Sequence, residues 1–99
     1  MNCKAVVVLA DRRRREAGLG WCWPANCDGN AFELMVPDEL LDRLKLDGAS
    51  PFSDDRFEAR RFFERVEAGA GRRLARDPRR PSFVILSPDD LADGDGADR

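Results

Sequence analysis

The sequence predicts an α+β domain: a small antiparallel sheet of three or four strands with two helices packed on one face. Three observations predict it. Asp28-Gly29 is a two-residue turn signal between two strand-like stretches. Two further runs, Ala5-Val6-Val7-Val8-Leu9 and Ser82-Phe83-Val84-Ile85-Leu86, are short and rich in β-branched residues. Between the hairpin and the last run, apolar residues recur at helical spacing up to Arg76.

The first run reads as a strand ended by the charged residues 11–16. If Cys27 and Asn30 close the turn, the cross-strand pairs are Ala25 with Phe32, Trp23 with Leu34 and Trp21 with Val36. The hairpin then spans 21–36 and those six side chains share one face. Cys22, Pro24, Asn26, Ala31, Glu33 and Met35 fall on the other. Pro24 sits at a non-hydrogen-bonded pair, where its missing N–H points away from the second strand, so 21–26 is expected at the sheet edge.

Pro37 ends the second strand. Asp38 and Glu39 open a helix that runs to about Lys45, with Leu40, Leu41 and Leu44 on its apolar side. Residues 47–51 form a loop, and Ser53 is the expected N-cap of a long helix reaching Arg76. On that helix Ala59, Phe63, Val66, Ala70 and Leu74 lie within about 80°, a core stripe with Phe63 at its centre and Phe62 beside it. Gly69 and Gly71 each cost about 1 kcal/mol relative to alanine and mark that point for a kink or break. The expected core is Trp21, Trp23, Phe32, Leu34, Phe63, Val66, Leu74, Phe83 and Ile85.

Ninety-nine residues give one domain, assigned to 1–91, followed by an acidic tail, 92–99, expected to be disordered. No apolar run is long enough to cross a bilayer, and the arginines at 12–15 follow the first apolar stretch where a secretory signal needs them before it. The expected setting is the cytoplasm, and three cysteines without framework spacing agree with reduced thiols. The formal net charge of -2 conceals a division: residues 1–15 carry +4, 16–55 carry -7, 56–80 carry +5 and 89–99 carry -4. Fifteen of the seventeen basic residues are arginine, which a GC-rich genome explains as readily as phosphate contacts do.

The order of motifs resembles a bacterial family of short proteins, domain of unknown function 1488. The likeness is carried by the hairpin, the short helix, the helix opening Phe57-Glu58-Ala59-Arg60, and the end Arg79-Arg80-Pro81-Ser82-Phe83-Val84-Ile85-Leu86-Ser87-Pro88-Asp89-Asp90-Leu91. It covers roughly Trp21 to Leu91. The resemblance implies a compact α+β fold with two helices on one antiparallel sheet, and no established activity or catalytic residue. The four arginines after the first strand, and Gly69 with Gly71, depart from its pattern.

The chain has no histidine and no tyrosine, which removes the commonest general base, the commonest metal ligand and a frequent proton donor. Cys3, Cys22 and Cys27 lack zinc-site spacing. Along one strand Cys22 and Cys27 are roughly 16 Å apart and on opposite faces, beyond the reach of a disulfide. The three Gly-x-Gly strings lack the setting of a phosphate cradle. Asp54 with Asp55, and Asp89 with Asp90, stand at element ends, where capping or solvation accounts for them. No cofactor, metal or small-molecule substrate is indicated, and an enzyme is not expected.

One feature invites a functional reading. Arg61, Arg65, Arg72 and Arg76 fall within an arc of about 60° on the long helix, and Arg73, Arg79 and Arg80 extend the basic surface toward the last strand. Such a ridge attracts phosphate backbones. The plainer reading is a solvated face, with Glu64 and Glu67 beside it. The expected function is a non-catalytic interaction module with a protein partner, or a homodimer formed through the edge at Trp21, Trp23 and Pro24. The alternative is a nucleic-acid-binding accessory or regulator that uses the arginine ridge.

Overall fold

A computed structural model describes residues 6–77, 79 and 81–91. Its elements are β1 (Val6–Val8), β2 (Arg14–Glu16), β3 (Gly20–Cys27), β4 (Asn30–Pro37), α1 (Asp38–Leu46), α2 (Arg56–Arg76) and β5 (Phe83–Ile85). The expected tail at 92–99 lies outside the described residues.

The β3–β4 hairpin has the register that its turn dictates. Asp28 and Gly29 both adopt positive φ, 54° and 87°, as a type I′ turn requires. Cys27 pairs with Asn30, Ala25 with Phe32, Trp23 with Leu34 and Trp21 with Val36. From this the two faces follow. Trp23, Ala25, Phe32, Leu34 and Val36 enter the core together with Leu40, Leu41 and Leu44 of α1 and Phe62, Val66 and Ala70 of α2. One face of the sheet is therefore covered by both helices, as expected for an α+β fold.

Two features of the sheet correct the expectation. Among the described residues it has five strands in the order β1-β3-β4-β5, with β2 also on β3, and it is mixed: β5 runs parallel to β4. The chain crosses the helical layer between β4 and β5, and such a crossover returns it in the starting direction.

The hairpin's first strand is central rather than an edge, because β1 and β2 both pair antiparallel to β3 on the side away from β4. They behave as one strand interrupted opposite Pro24. The Leu9 N–H donates to the Pro24 carbonyl at 2.9 Å, but Pro24 has no N–H to return. The Leu9 carbonyl accepts from Arg12 instead, at 3.1 Å, in a turn that leaves the ladder. Pairing resumes at Arg14 with Cys22. A proline inside the sheet is accommodated by breaking its neighbour.

Helix α1 has the expected bounds, with Asp38 and Glu39 in its first turn and Arg43 and Lys45 in its last. Helix α2 starts later than expected. Its N-cap is Asp55, whose Oδ1 accepts from the Phe57 N–H at 2.8 Å, while the Ser53 Oγ accepts from the Asp55 N–H and shapes the approach. The helix is continuous through both glycines. A Cβ on Gly69 would lie 2.8 Å from Leu91 Cδ2, so the missing side chain admits the segment after β5 against the helix. The kink expected from helix propensity yields to packing.

The core stripe is rotated by part of a turn from the expected one. Phe62 is fully buried, and Phe63, expected at the centre, flanks it half-buried with Leu74. Trp23 meets both rings, at 5.5 Å from Phe62 and edge-on at 5.7 Å from Phe63. Its buried Nε1 has no hydrogen-bond partner among the described residues. On β5 the parity is opposite to the expectation: Val84 and Leu86 are buried, while Phe83 and Ile85 are 45% and 46% exposed. Their partners explain this, since Phe83 pairs with Glu33 and Ile85 with Met35, both on the uncovered face.

The cysteines also depart from the expectation. Cys22 is a free, buried thiol and Cys27 is disulfide-bonded. Cys22 and Cys27 are not bonded to each other, as expected, because they point to opposite faces of β3. The expected full set of reduced thiols is contradicted at Cys27, so cysteine usage no longer points to a reducing compartment.

Two measurements check this description. Phe62→Ala is expected to cost about 3–5 kcal/mol and Phe63→Ala about half as much, by denaturant unfolding; a larger loss for Phe63→Ala would refute the helix phase. Thiol titration of the denatured, unreduced chain is expected to find fewer thiols than the three cysteines of the sequence. A full count would remove the bond at Cys27.

Candidate functional site

The α2 arginines expected to form a ridge reach groups of the protein itself. Arg61 donates through Nε and Nη2 to the Gly48 carbonyl at 3.1 and 3.0 Å, and Arg65 meets Asp47 at 3.2 Å. Both tie the α1–α2 loop to the helix. Arg72 donates to the Asp90 carbonyl. Arg73 donates to the Ile85 carbonyl and to Asp90 Oδ2, each at 2.9 Å, and Arg76 to Asp90 Oδ1 at 3.0 Å. Arg79 stands 3.7 Å from Asp77 at the surface, and Arg80 lies outside the described residues.

Asp90 is the centre of this arrangement. It follows Ser87-Pro88-Asp89 at the start of a helical turn, and its Oδ2 accepts from the Ser87 N–H and Oγ at 2.9 and 3.2 Å. That is the reciprocal half of a capping box, with proline at the first helical position. The residue is 1% exposed, so a charge that capping alone would leave at the surface is buried and neutralised by Arg73 and Arg76. The capping expected of Asp55 and of the Asp89-Asp90 pair is thus present at Asp55 and Asp90.

Of the edge expected at Trp21, Trp23 and Pro24, none is an edge. Trp23 is core. Pro24 is half-buried on a central strand. Trp21 is half-buried against Phe52 at 5.2 Å, with the Arg13 guanidinium over both rings and that of Arg15 over Trp21 at 5.7 Å. Arg15 also grips Asp38 through both carboxylate oxygens, at 2.7 and 2.9 Å. These bonds hold the Asp38 carboxyl below its ordinary value. The pair therefore supports the fold at neutral pH, and its contribution is lost as pH falls below the ordinary carboxylate range.

Two of the outer strands, β1 and β5, are blunted from α2. The Val8 N–H of β1 donates to Glu67 Oε2 at 3.0 Å, and the Ile85 carbonyl of β5 accepts from Arg73. Helix side chains occupy backbone groups that an incoming strand would use.

Among the described residues, the face of the sheet away from the helices is left open. A groove of about 960 Å³ runs there between the β2–β3 turn, the end of β4, the start of α1 and β5. Phe83, Ile85 and Leu19, the last 56% exposed, stand along it, over a floor that includes Met35. Arg14 crosses the face and is held by Glu16 and Glu33, each at 2.5 Å, which favours its charged form further. Cys22 lies fully buried on the same face, its thiol pushed up by burial and so kept from reactivity. Sequence reasoning placed Phe83 and Ile85 in the core and passed over Leu19. Glu33, already assigned to the outer face, was the available signal, but it identifies Phe83 as outward only once the β4–β5 pairing is known.

Among the described residues, no three His, Cys, Asp or Glu side chains stand together as a metal site, and no helix is long and apolar enough to cross a membrane. Comparison with family models, curated proteins and solved structures finds no match.

Asp90→Ala is expected to destabilise the protein by about 2–4 kcal/mol, because it removes the buried acceptor shared by Arg73, Arg76 and the Ser87 cap. Asp90→Asn, which keeps acceptors, should cost less. A surface-like effect below about 0.5 kcal/mol in denaturant unfolding would show that the cluster is not structural.

Proposed function

We propose that the protein is a non-catalytic binding module that recognises a protein partner through the open face of its sheet. The observation that carries this reading is the exposure of Phe83, Ile85 and Leu19 along one groove, on the face that neither helix covers. Water-exposed apolar side chains gathered at a concave surface are the usual mark of an interaction site. Three supports stand beside it. The composition lacks histidine and tyrosine, which argues against acid–base catalysis. The α2 arginines, on which a nucleic-acid reading would rest, already have protein acceptors. Self-association by strand addition along β1 or β5 is disfavoured by their blunting.

The test is partner capture from the native host with wild-type protein and with Phe83→Asp/Ile85→Asp. Both residues are half exposed, so the variant is expected to keep the wild-type melting temperature and to lose the partner. Retention of the same partner at wild-type level would sink the proposal.

A further inference from the structure

The open face differs in charge from the rest of the molecule's basic features. Around the groove, the carboxylates of Glu16, Glu33, Asp38 and Glu39 stand against the guanidiniums of Arg14 and Arg15, a formal excess of two negative charges. The two arginines are held in place. Arg14 lies between Glu16 and Glu33, and Arg15 is gripped by Asp38. Glu39, in the first turn of α1 at the groove's rim, is exposed and makes no ion pair among the described residues. An apolar strip at Phe83, Ile85 and Leu19 thus borders a rim with negative charge to spare.

We infer, on the strength of the protein-binding reading above, that the occupant of this face is a cationic polypeptide segment that lays apolar side chains across Phe83, Ile85 and Leu19 and turns its positive groups toward Glu39. The sign decides among occupants. A second copy of this chain, presenting the same face, would set like charges against each other. The chain's own residues 92–99 have the wrong sign as well, since Asp93, Asp95 and Asp98 outnumber Arg99. Strand addition along β5 is opposed because Arg73 holds the Ile85 carbonyl, so the segment sits on the face rather than beside it.

The experiment is selection of short random peptides displayed on phage against the full chain, with counter-selection on Phe83→Asp. Leu19→Asp serves as a second counter-selection variant should Phe83→Asp lose its fold. Selected peptides are expected to combine at least two large apolar residues with net positive charge. In fluorescence anisotropy their affinity should fall on the order of tenfold for Phe83→Asp, as for loss of an apolar anchor. Glu39→Lys should weaken them severalfold, and the effect should shrink between about 50 and about 300 mM salt as screening increases. Peptides that need Phe83 but are neutral or acidic, and are indifferent to Glu39→Lys, would overturn the cationic occupant and leave the face as the binding site. Selected peptides that bind wild type and both face variants equally would overturn the face as well.

Discussion

The register of the β3–β4 hairpin is the constraint on which the other elements depend. Asp28 and Gly29 supply two consecutive positive φ values, and these admit one tight turn, closed by Cys27 and Asn30. Once that pair is fixed, every residue of both strands is assigned to one face, because a slip by one position would send Trp23, Leu34 and Val36 to the solvent side. The neighbouring strands inherit the assignment. Val6 and Val8 point inward because they pair with Cys27 and Ala25, and Val84 because it pairs with Leu34. The same inheritance sends Phe83 and Ile85 outward.

The long helix acts on its surroundings through side chains that flank its buried stripe. Phe62, Val66 and Ala70 anchor it to the sheet, and the arginines at the margin of that stripe are long enough to reach past the core to backbone carbonyls of the loop, of β5 and of the segment after it. Buried or half-buried carbonyls need donors. A guanidinium carries five N–H groups in a fixed fork and can serve two acceptors at once, as Arg73 does for Ile85 and Asp90. Lysine in the same places would present one mobile charge and could not reproduce this bracing.

Much of the architecture was legible in the residues because it is set locally. The hairpin, its pairs, the bounds of α1 and the end of α2 follow from turn chemistry, alternation and charge at helix ends. Three features were not legible, each for a long-range reason. The direction and parity of β5 depend on which strand it joins after a two-helix crossing. The place of β3 inside the sheet depends on β1 and β2, whose three-residue lengths give weak periodic signals. The destination of the arginines depends on Gly48, Ile85 and Asp90, separated from them by 12 to 18 residues of chain. Helix geometry grouped the arginines correctly, yet a ridge drawn on a wheel does not reveal what stands opposite it.

The interruption opposite Pro24 bears on how the chain can vary. β1 and β2 are anchored to β3 by separate ladders, so the residues between them are held at both ends and carry no sheet register of their own. Extra residues inserted there would lengthen a surface turn without shifting either ladder, and each doubling of such a loop costs only about 0.6 kcal/mol in closure entropy. An uninterrupted strand offers no such tolerance, because one added residue would reverse every side chain beyond it. Pro24 thus gives this small domain a graft point on its sheet, at which length and composition can change while the hairpin, the helices and the open face stay where they are.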